Sequence, residues 1–175
     1  MPSDKKTARK NGLRARSLLS DEQRRIKDRK ITARVIEKIA PYQIIGCYVS
    51  MRDEVSTIEI LQWCFDHDKS VAVPKVTGST LVFHRIRGFA DLAPGTFGVL
   101  EPVRDDPVAV EDIGFMIVPL SAFDEQNNRT GYGKGYYDSI LRQCAHNAGL
   151  AYEEQKTDLI LTDPWDVRLD EVICE

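Results

Sequence analysis

No stretch of this 175-residue chain is apolar for the ~20 residues that a bilayer span needs. The opening residues, Met1 to Lys10, contain no apolar segment of the secretory kind, so no export signal is expected. The four cysteines, Cys47, Cys64, Cys144 and Cys174, form no C-x-x-C pair. That spacing excludes a zinc ribbon and a disulfide framework, and it points to free thiols in a reducing, cytoplasmic setting. His67, His84 and His146 stand far apart without metal-ligand spacing, and surface or packing roles are expected for them. Internal repeats, low-complexity tracts and linkers are absent as well. The expectation is one domain over residues 1–175, long enough for a sizeable core.

What is present is ordinary in bulk and uneven in distribution. Hydrophobic residues make up 42% and charged residues 29%, as in a soluble globular protein. The net charge is −3, yet residues 1–38 hold 13 of the 24 Lys and Arg and only 5 of the 27 Asp and Glu. A basic leading segment suits an anionic ligand or nucleic acid, and equally two amphipathic helices with solvated faces. The acidic remainder and the want of an aromatic-rich RNA-recognition stretch argue against nucleic acid.

Taken in order, Asp4 to Leu19 has helix composition, weakened by Asn11 and Gly12. Ser20-Asp-Glu-Gln23 is a capping box opening a helix to about Ile39, with Ile26, Ala33, Ile36 and Ile39 on its apolar face and Pro41 stopping it. Ile44 to Val49 reads as a buried strand. Ser56-Thr-Ile-Glu59 predicts a second capping box, before a helix that buries Ile60, Leu61 and Cys64. Ser70 to Val73 is a strand closed by Pro74, and Thr80 to Ile86 a further one beyond the Thr77-Gly-Ser turn. Phe89 to Asp106 reads as an ordered loop, Ile113 to Val118 as the most apolar strand, and Leu150 to Tyr152 and Glu171 to Cys174 as short strands. Alternating strands and helices predict a three-layer, Rossmann-like α/β fold with a mainly parallel central sheet flanked by helices. Ligands in such sheets bind at the carboxyl ends of strands, here after Val49 and after Pro119.

After Pro119 and a polar turn, Ser121 to Asn127, comes N-R-T-G-Y-G-K-G-Y-Y-D, from Asn128 to Asp138, which leads into a helix expected over Tyr136 to Ala148. Glycines let backbone N–H groups approach an anion, and a helix N-terminus favours one. Lys134, between Gly133 and Gly135, adds a point charge. The spacing matches neither a Walker loop nor G-x-G-x-x-G, so the stretch suggests phosphate without naming a nucleotide fold; a mobile glycine turn is the alternative.

Together these pieces resemble the 5-formyltetrahydrofolate cyclo-ligase (methenyltetrahydrofolate synthetase) family over nearly the whole chain. The resemblance rests on Lys5-Lys-Thr-Ala-Arg9, C-Y-V-S-M-R-D-E-V-S-T from Cys47, Val73-Pro-Lys75, F-G-V-L-E-P from Phe97, and V-P-L-S-A-F-D-E-Q-N-N-R-T-G-Y-G-K-G-Y-Y-D, in the family's order. It implies ATP- and Mg²⁺-dependent closure of 5-formyltetrahydrofolate to 5,10-methenyltetrahydrofolate through a phosphorylated formyl (iminium phosphate) intermediate, releasing ADP and phosphate. Such chemistry needs positioning and charge neutralisation rather than a protein nucleophile, consistent with a chain lacking a Ser-His-Asp or Cys-His signature.

By resemblance, Lys5 and Arg9 meet ATP phosphates, as do Arg129, Gly131, Tyr132, Gly133, Lys134, Gly135, Tyr136 and Tyr137. Lys134, Arg129 and Tyr136 are the catalytic candidates. Val49, Met51 and Glu54 contact the folate, whose edge also meets Tyr132 through Tyr136. Tyr132 stands where some members have arginine. Asp138 and Asp166 match the Mg²⁺ ligands, with Asp170 a competitor for the second place and a helix first-turn acid the other account of Asp138. No membrane or nucleic-acid partner is implied, and a monomer is expected. The alternatives are a non-catalytic nucleotide-binding module, and a kinase or paralogous cyclo-ligase with another substrate.

Overall fold

The structure, a computed structural model, describes residues 2–175. Helix α1 (Lys5–Ser17) starts on Asp4, whose carboxylate accepts a hydrogen bond from the Thr7 amide at 2.7 Å. Helix α2 (Asp21–Ile39) opens on the predicted capping box: Ser20 Oγ accepts from the Gln23 amide, and Gln23 Oε1 from the Ser20 amide. Its buried face is the expected one only at Ile39 and, in part, Ile36. Ile31, Val35 and Ile39 are fully buried with Thr32 beside them, whereas Ile26 and Ala33 face solvent. The i, i+4, i+8 spacing of three β-branched side chains, each contributing ~1.5–3 kcal/mol when buried, outweighs a stripe that runs through one alanine.

Strand β1 (Ile44–Cys47) is followed by helix α3 (Ile58–Asp66) and strands β2 (Ser70–Thr77) and β3 (Thr80–Ile86). The expected second capping box does not form. Thr57 is the N-cap, but its hydroxyl donates to the Tyr48 carbonyl at 2.8 Å and accepts from the Ser50 amide at 3.0 Å. It closes the loop after β1 instead. Pro74 does not end β2. The strand leaves β1 after Ala72 and continues against β3 alone, so the missing N–H of Pro74 costs no bond to β1.

The expected loop from Phe89 contains a small hairpin, β4 (Leu92–Pro94) and β5 (Leu100–Pro102). Strand β6 (Phe115–Val118) leads into a second hairpin, β7 (Ala122–Phe123) and β8 (Arg129–Thr130), before the glycine-rich loop and helix α4 (Tyr136–Leu141). That helix stops seven residues short of the expected Ala148, because Asn147–Ala151 forms β9. Strand β10 (Glu171–Cys174) completes a six-stranded sheet of order β10-β9-β6-β1-β2-β3, parallel except for β3.

Period-2 alternation divides the core. Ile45, Cys47, Val71, Val73, Phe115 and Ile117 face α2 and α3, while Ala72, Met116 and Val118 meet Ile140 and Leu141 of α4 on the other side. The predicted three layers are present. Among the described residues, no helix is long and apolar enough to cross a membrane.

Helix α1 lies across the β7–β8 hairpin rather than on the sheet. Ala8 is buried against Ala122 and Ile160, and a Cβ at Gly12 would stand 2.1 Å from the Ser121 carbonyl oxygen. Gly12, a weak point for a helix by propensity, is what lets the helix backbone meet the hairpin. The segment before α1 is fastened by hydrogen bonds from the Ser3 amide to the Leu159 carbonyl (2.7 Å) and from the Leu161 amide to the Ser3 carbonyl (2.8 Å). This brings a basic helix to the carboxyl ends of β1 and β6.

Candidate active site

The glycine loop is held from beneath by a buried carboxylate. Asp124, in the turn of the β7–β8 hairpin and 1% exposed, accepts from the amides of Gln126 (2.9 Å), Asn128 (3.0 Å) and Ile160 (2.9 Å), and from Asn128 Nδ2 (3.0 Å). The hairpin therefore delivers Arg129 and Thr130 at a fixed angle. The Ser121 hydroxyl, within 2.8 Å of the Gly131 carbonyl, fixes where the loop departs. Gly133 (φ 89°) and Gly135 (φ 68°) then turn the chain through left-handed conformations that a side chain would strain.

Over this loop opens a crevice of about 940 Å³. Its walls are α1, the loop after β1, the tip of the β4–β5 hairpin and the start of α4. Glu101, 8% exposed, pins that hairpin in place by accepting from the Val76 amide (2.8 Å) and the Thr96 amide (3.3 Å). Phe97, at the hairpin tip with φ 59° and largely exposed, stands opposite the loop with Lys134 Nζ 6.0 Å from its ring centre.

The cations have unequal surroundings. The Arg129 side chain is only 5% exposed and lies 5.6 Å over the Tyr137 ring, with Asp138 Oδ1 3.8 Å from Nη1 and no partner for Nε. Burial pulls its guanidinium below the ordinary arginine range, against the attraction of Asp138. A buried cation with an unused N–H calls for an anion. No amide from Gly131 to Gly135 donates to an acceptor among the described residues, which leaves a row of donors beside it. Arg9 Nε donates to the Gly131 carbonyl at 2.9 Å, bracing the loop from α1. Lys5 is bound to Asp163 and Asp166, at 2.8 Å from Asp166 Oδ2. Burial lowers the Lys5 pKa, but the hydrogen bonds to these two carboxylates outweigh it and hold the ammonium above its ordinary range.

At the other end, the loop after β1 makes a tight turn. The Glu54 amide donates to the Met51 carbonyl at 3.1 Å, and Glu54 Oε1 accepts from the Met51 amide at 2.9 Å. Tyr132 donates its hydroxyl proton to Glu54 Oε2 at 2.9 Å and accepts from Arg16 Nη1 at 3.1 Å. Arg16 is also paired with Asp53, at 3.0 Å from Nε and 2.9 Å from Nη2. Burial raises the Glu54 carboxyl above its usual range, against the Met51 amide and the Tyr132 hydroxyl. It also pushes the Tyr132 phenol up to about 12.

Lys5, Arg9, Val49, Met51, Glu54, Arg129, Gly131, Tyr132, Gly133, Lys134, Gly135, Tyr136, Tyr137, Asp138 and Asp166 all line this one crevice. Val49, 3% exposed, does so mainly as core. Asp170 does not line it. Its carboxylate accepts from the Asn147 amide at 2.9 Å, at the amino end of β9 and so at the far end of the strands from the crevice. Among the described residues, no group of three or more His, Cys, Asp or Glu could hold a metal by itself. Asp138 and Asp166 are two carboxylates in the lining, Asp138 beside Arg129 and Asp166 accepting from Lys5 on both oxygens. Mg²⁺ sites use one or two such carboxylates with phosphate oxygens and water. The sequence reading missed Arg16, Phe97 and Trp165, which also line the crevice. Arg16 was within reach, since Lys5, Arg9 and Arg16 share one helix face at i, i+4 and i+11.

The model of the 5-formyltetrahydrofolate cyclo-ligase family matches residues 2–175. Among relatives, the chain is 33% identical to the 5-formyltetrahydrofolate cyclo-ligase of Mycoplasma pneumoniae, over 97% of this chain and 98% of that one. It is 29% identical to the mouse protein of the same name, over 95% of this chain and 93% of the other. Among solved structures it resembles the NMR structure of Aquifex aeolicus 5,10-methenyltetrahydrofolate synthetase, with a TM-score of 0.87, 31% identity and coverage of 97% and 89%. A 5,10-methenyltetrahydrofolate synthetase from Mycoplasma pneumoniae superposes with a TM-score of 0.80, 28% identity and coverage of 98% of both chains.

Proposed function

The chain belongs to the 5-formyltetrahydrofolate cyclo-ligase family, and from that premise we propose that it closes the folate ring in this crevice with consumption of ATP and in the presence of Mg²⁺. The reaction converts 5-formyltetrahydrofolate to 5,10-methenyltetrahydrofolate. The observation that carries the nucleotide half is Arg129, buried beside Gly131 with Nε unpaired, next to a loop whose amides donate to no acceptor among the described residues. The four unpaired cysteines support a reducing, cytoplasmic setting. Residues 2–175 act as one catalytic unit in this reading, which takes the protein as a monomer.

An amide oxygen is a poor leaving group and a phosphate a good one, which sets the order of events. The formyl oxygen attacks the γ-phosphorus of ATP and ADP leaves, giving an N5-iminium phosphate. N10 then attacks the former formyl carbon and loses its proton, and the C–O bond to phosphate breaks as the methenyl bridge forms. Lys134 and Arg129 screen the charge that accumulates on the transferring phosphoryl group, the main electrostatic task of such a site. Arg9 holds the loop in shape, and Lys5 meets phosphate on the Asp166 side. Tyr136 positions the reacting ends at the start of α4. Asp138 and Asp166 are the residues that would hold Mg²⁺, which would neutralise phosphate charge there. Glu54 has four lone-pair positions, two of them taken by the Met51 amide and Tyr132; the other two are free for a pair of parallel N–H donors on the pterin.

Purified protein mixed with 5-formyltetrahydrofolate, ATP and Mg²⁺ should generate methenyl absorbance in acid. Folded protein that gives no ATP-dependent product would sink the assignment.

Replacing Asp138 by asparagine should raise the Mg²⁺ concentration needed for half-maximal rate at least tenfold, about 1.4 kcal/mol of lost coordination. An unmoved Mg²⁺ titration removes Asp138 from the metal.

Glu54→Gln separates binding from stability. The Glu54 pKa is raised by burial, so its contribution to stability is full below the ordinary value of 4.5 and is lost as pH rises through the folded value. At neutral pH the ionised group therefore costs stability. The glutamine variant should melt no lower than wild type at pH 7, while its KM for folate rises roughly tenfold or more through lost charge-assisted bonds. A rise confined to the ATP requirement would misplace Glu54.

A further inference from the structure

Arg16 meets the glycine loop only through the Tyr132 hydroxyl, yet it is 6% exposed and each of its three guanidinium nitrogens has a partner. Its side chain reaches from α1 to two separate segments, Asp53 on the loop after β1 and Tyr132 on the glycine loop. A guanidinium has five donors and no acceptor. The Tyr132 oxygen must therefore accept from Arg16, and its one proton must go the other way, to Glu54 Oε2. With the Met51 amide on Oε1, a single direction of donation runs from Arg16 through Tyr132 into Glu54.

We propose that Arg16 is a positioning residue for Glu54, the carboxylate assigned to the pterin: acting through the Tyr132 hydroxyl, it keeps Glu54 ionised and oriented as an acceptor. The inference rests on the assignment of Glu54 to the pterin. The ionisable groups around Glu54 decide whether such help is needed. Asp53, beside it on the same loop, opposes ionisation, as does desolvation; Tyr48 at the end of β1 and Tyr137 of α4 bring no positive charge. The charge of Arg16 favours the ionised Glu54, and the Tyr132 hydroxyl joins the two through hydrogen bonds of 3.1 and 2.9 Å. Asp53 has a separate effect. By taking Nε and Nη2 it sets the guanidinium plane so that Nη1 points at the phenol. Without Arg16, nothing fixes the direction of the Tyr132 proton, and burial acts on the Glu54 carboxyl with less opposition.

The test uses two readouts on the intact protein. Carbon-13 NMR of the Glu54 carboxyl in substrate-free protein follows its titration, and kcat/KM for 5-formyltetrahydrofolate is measured against pH. Arg16→Met should move the Glu54 titration up by about one unit, as expected for loss of a nearby cation, and move the acid limb of the folate profile with it. The ATP requirement should stay put, and Arg16→Lys should recover most of the shift. Tyr132→Phe removes the hydroxyl but leaves the Arg16–Asp53 pair in place. It should shift Glu54 in the same direction, and it decides the matter if Arg16→Met fails to fold. A Glu54 titration that does not move in Tyr132→Phe or in folded Arg16→Met overturns the inference. So does a loss shared equally between folate and ATP. The carboxyl titration needs no substrate, so a wild-type protein without turnover would defeat the proposed function and still leave the Arg16 effect measurable.

Discussion

Lys134→Ala should lower kcat by about 10²–10³, the effect of removing one donor that serves developing charge. That corresponds to roughly 2.7–4 kcal/mol of barrier. Thermal stability should not move, because Lys134 is exposed and the one contact recorded for its ammonium is the Phe97 ring, 6.0 Å from Nζ. The KM for folate should change little, since the lost interaction belongs to the phosphoryl group and is strongest at the transition state. Lys134→Arg should recover part of the rate, limited by the fit of a planar fork to a site shaped for a point charge. Steady-state rates at saturating ATP and folate check this. A rate within error of wild type would take Lys134 out of the chemistry.

Asp124→Ala should destabilise the fold strongly although the residue lies outside the crevice. Four N–H donors converge on this carboxylate at 2.9–3.0 Å, and none has an alternative acceptor when it is gone. Stranded buried donors cost ~1–3 kcal/mol each before relaxation. Allowing for partial rescue by water, the loss should be about 3–5 kcal/mol, a large share of the ~5–15 kcal/mol that stabilises a typical protein. The urea midpoint should fall accordingly. Activity measured well below that midpoint should fall too, because the same hairpin sets the angle of the glycine loop. Asp124→Asn should lie between, since an amide oxygen can still accept but its NH₂ faces donors. A midpoint unchanged by Asp124→Ala would mean that the hairpin holds its shape by other contacts.

Residue type marked the glycine loop as a phosphate candidate, with a mobile turn as the alternative, while the acidic and basic candidates rested on the family resemblance. The sheet was legible from the β-branched runs at Ile44, Ser70 and Ile113. The misreadings arose where tertiary packing decided. Asn147–Ala151 has no strand propensity of its own, yet it fills the slot beside β6, where Gly149 lies so close to Leu169 and Leu120 that a Cβ would meet them at 2.6 and 2.7 Å. The Ser56 capping box failed because Thr57 was claimed by the end of β1. The β7–β8 hairpin hid inside a polar turn, since two-residue strands leave no periodicity to detect. Arg16 was hidden in a different way. Its spacing was visible, but nothing in a basic helix says which arginines will be buried.

Lys5 and Asp166 meet across 161 residues of chain, and Ser3 is fastened to Leu159 and Leu161. During synthesis at ~5–20 residues per second, the first helix would wait roughly 8–30 s for that counterpart to emerge. The hairpin it lies on is made first, but until then its ammonium has no carboxylates and Ser3 has no segment to hold it. The sheet can begin to assemble on the ribosome, but the crevice cannot be completed. A nascent chain stalled before residue 159 would hold a nearly built scaffold with one wall unfastened, and its basic helix would be open to other acidic partners.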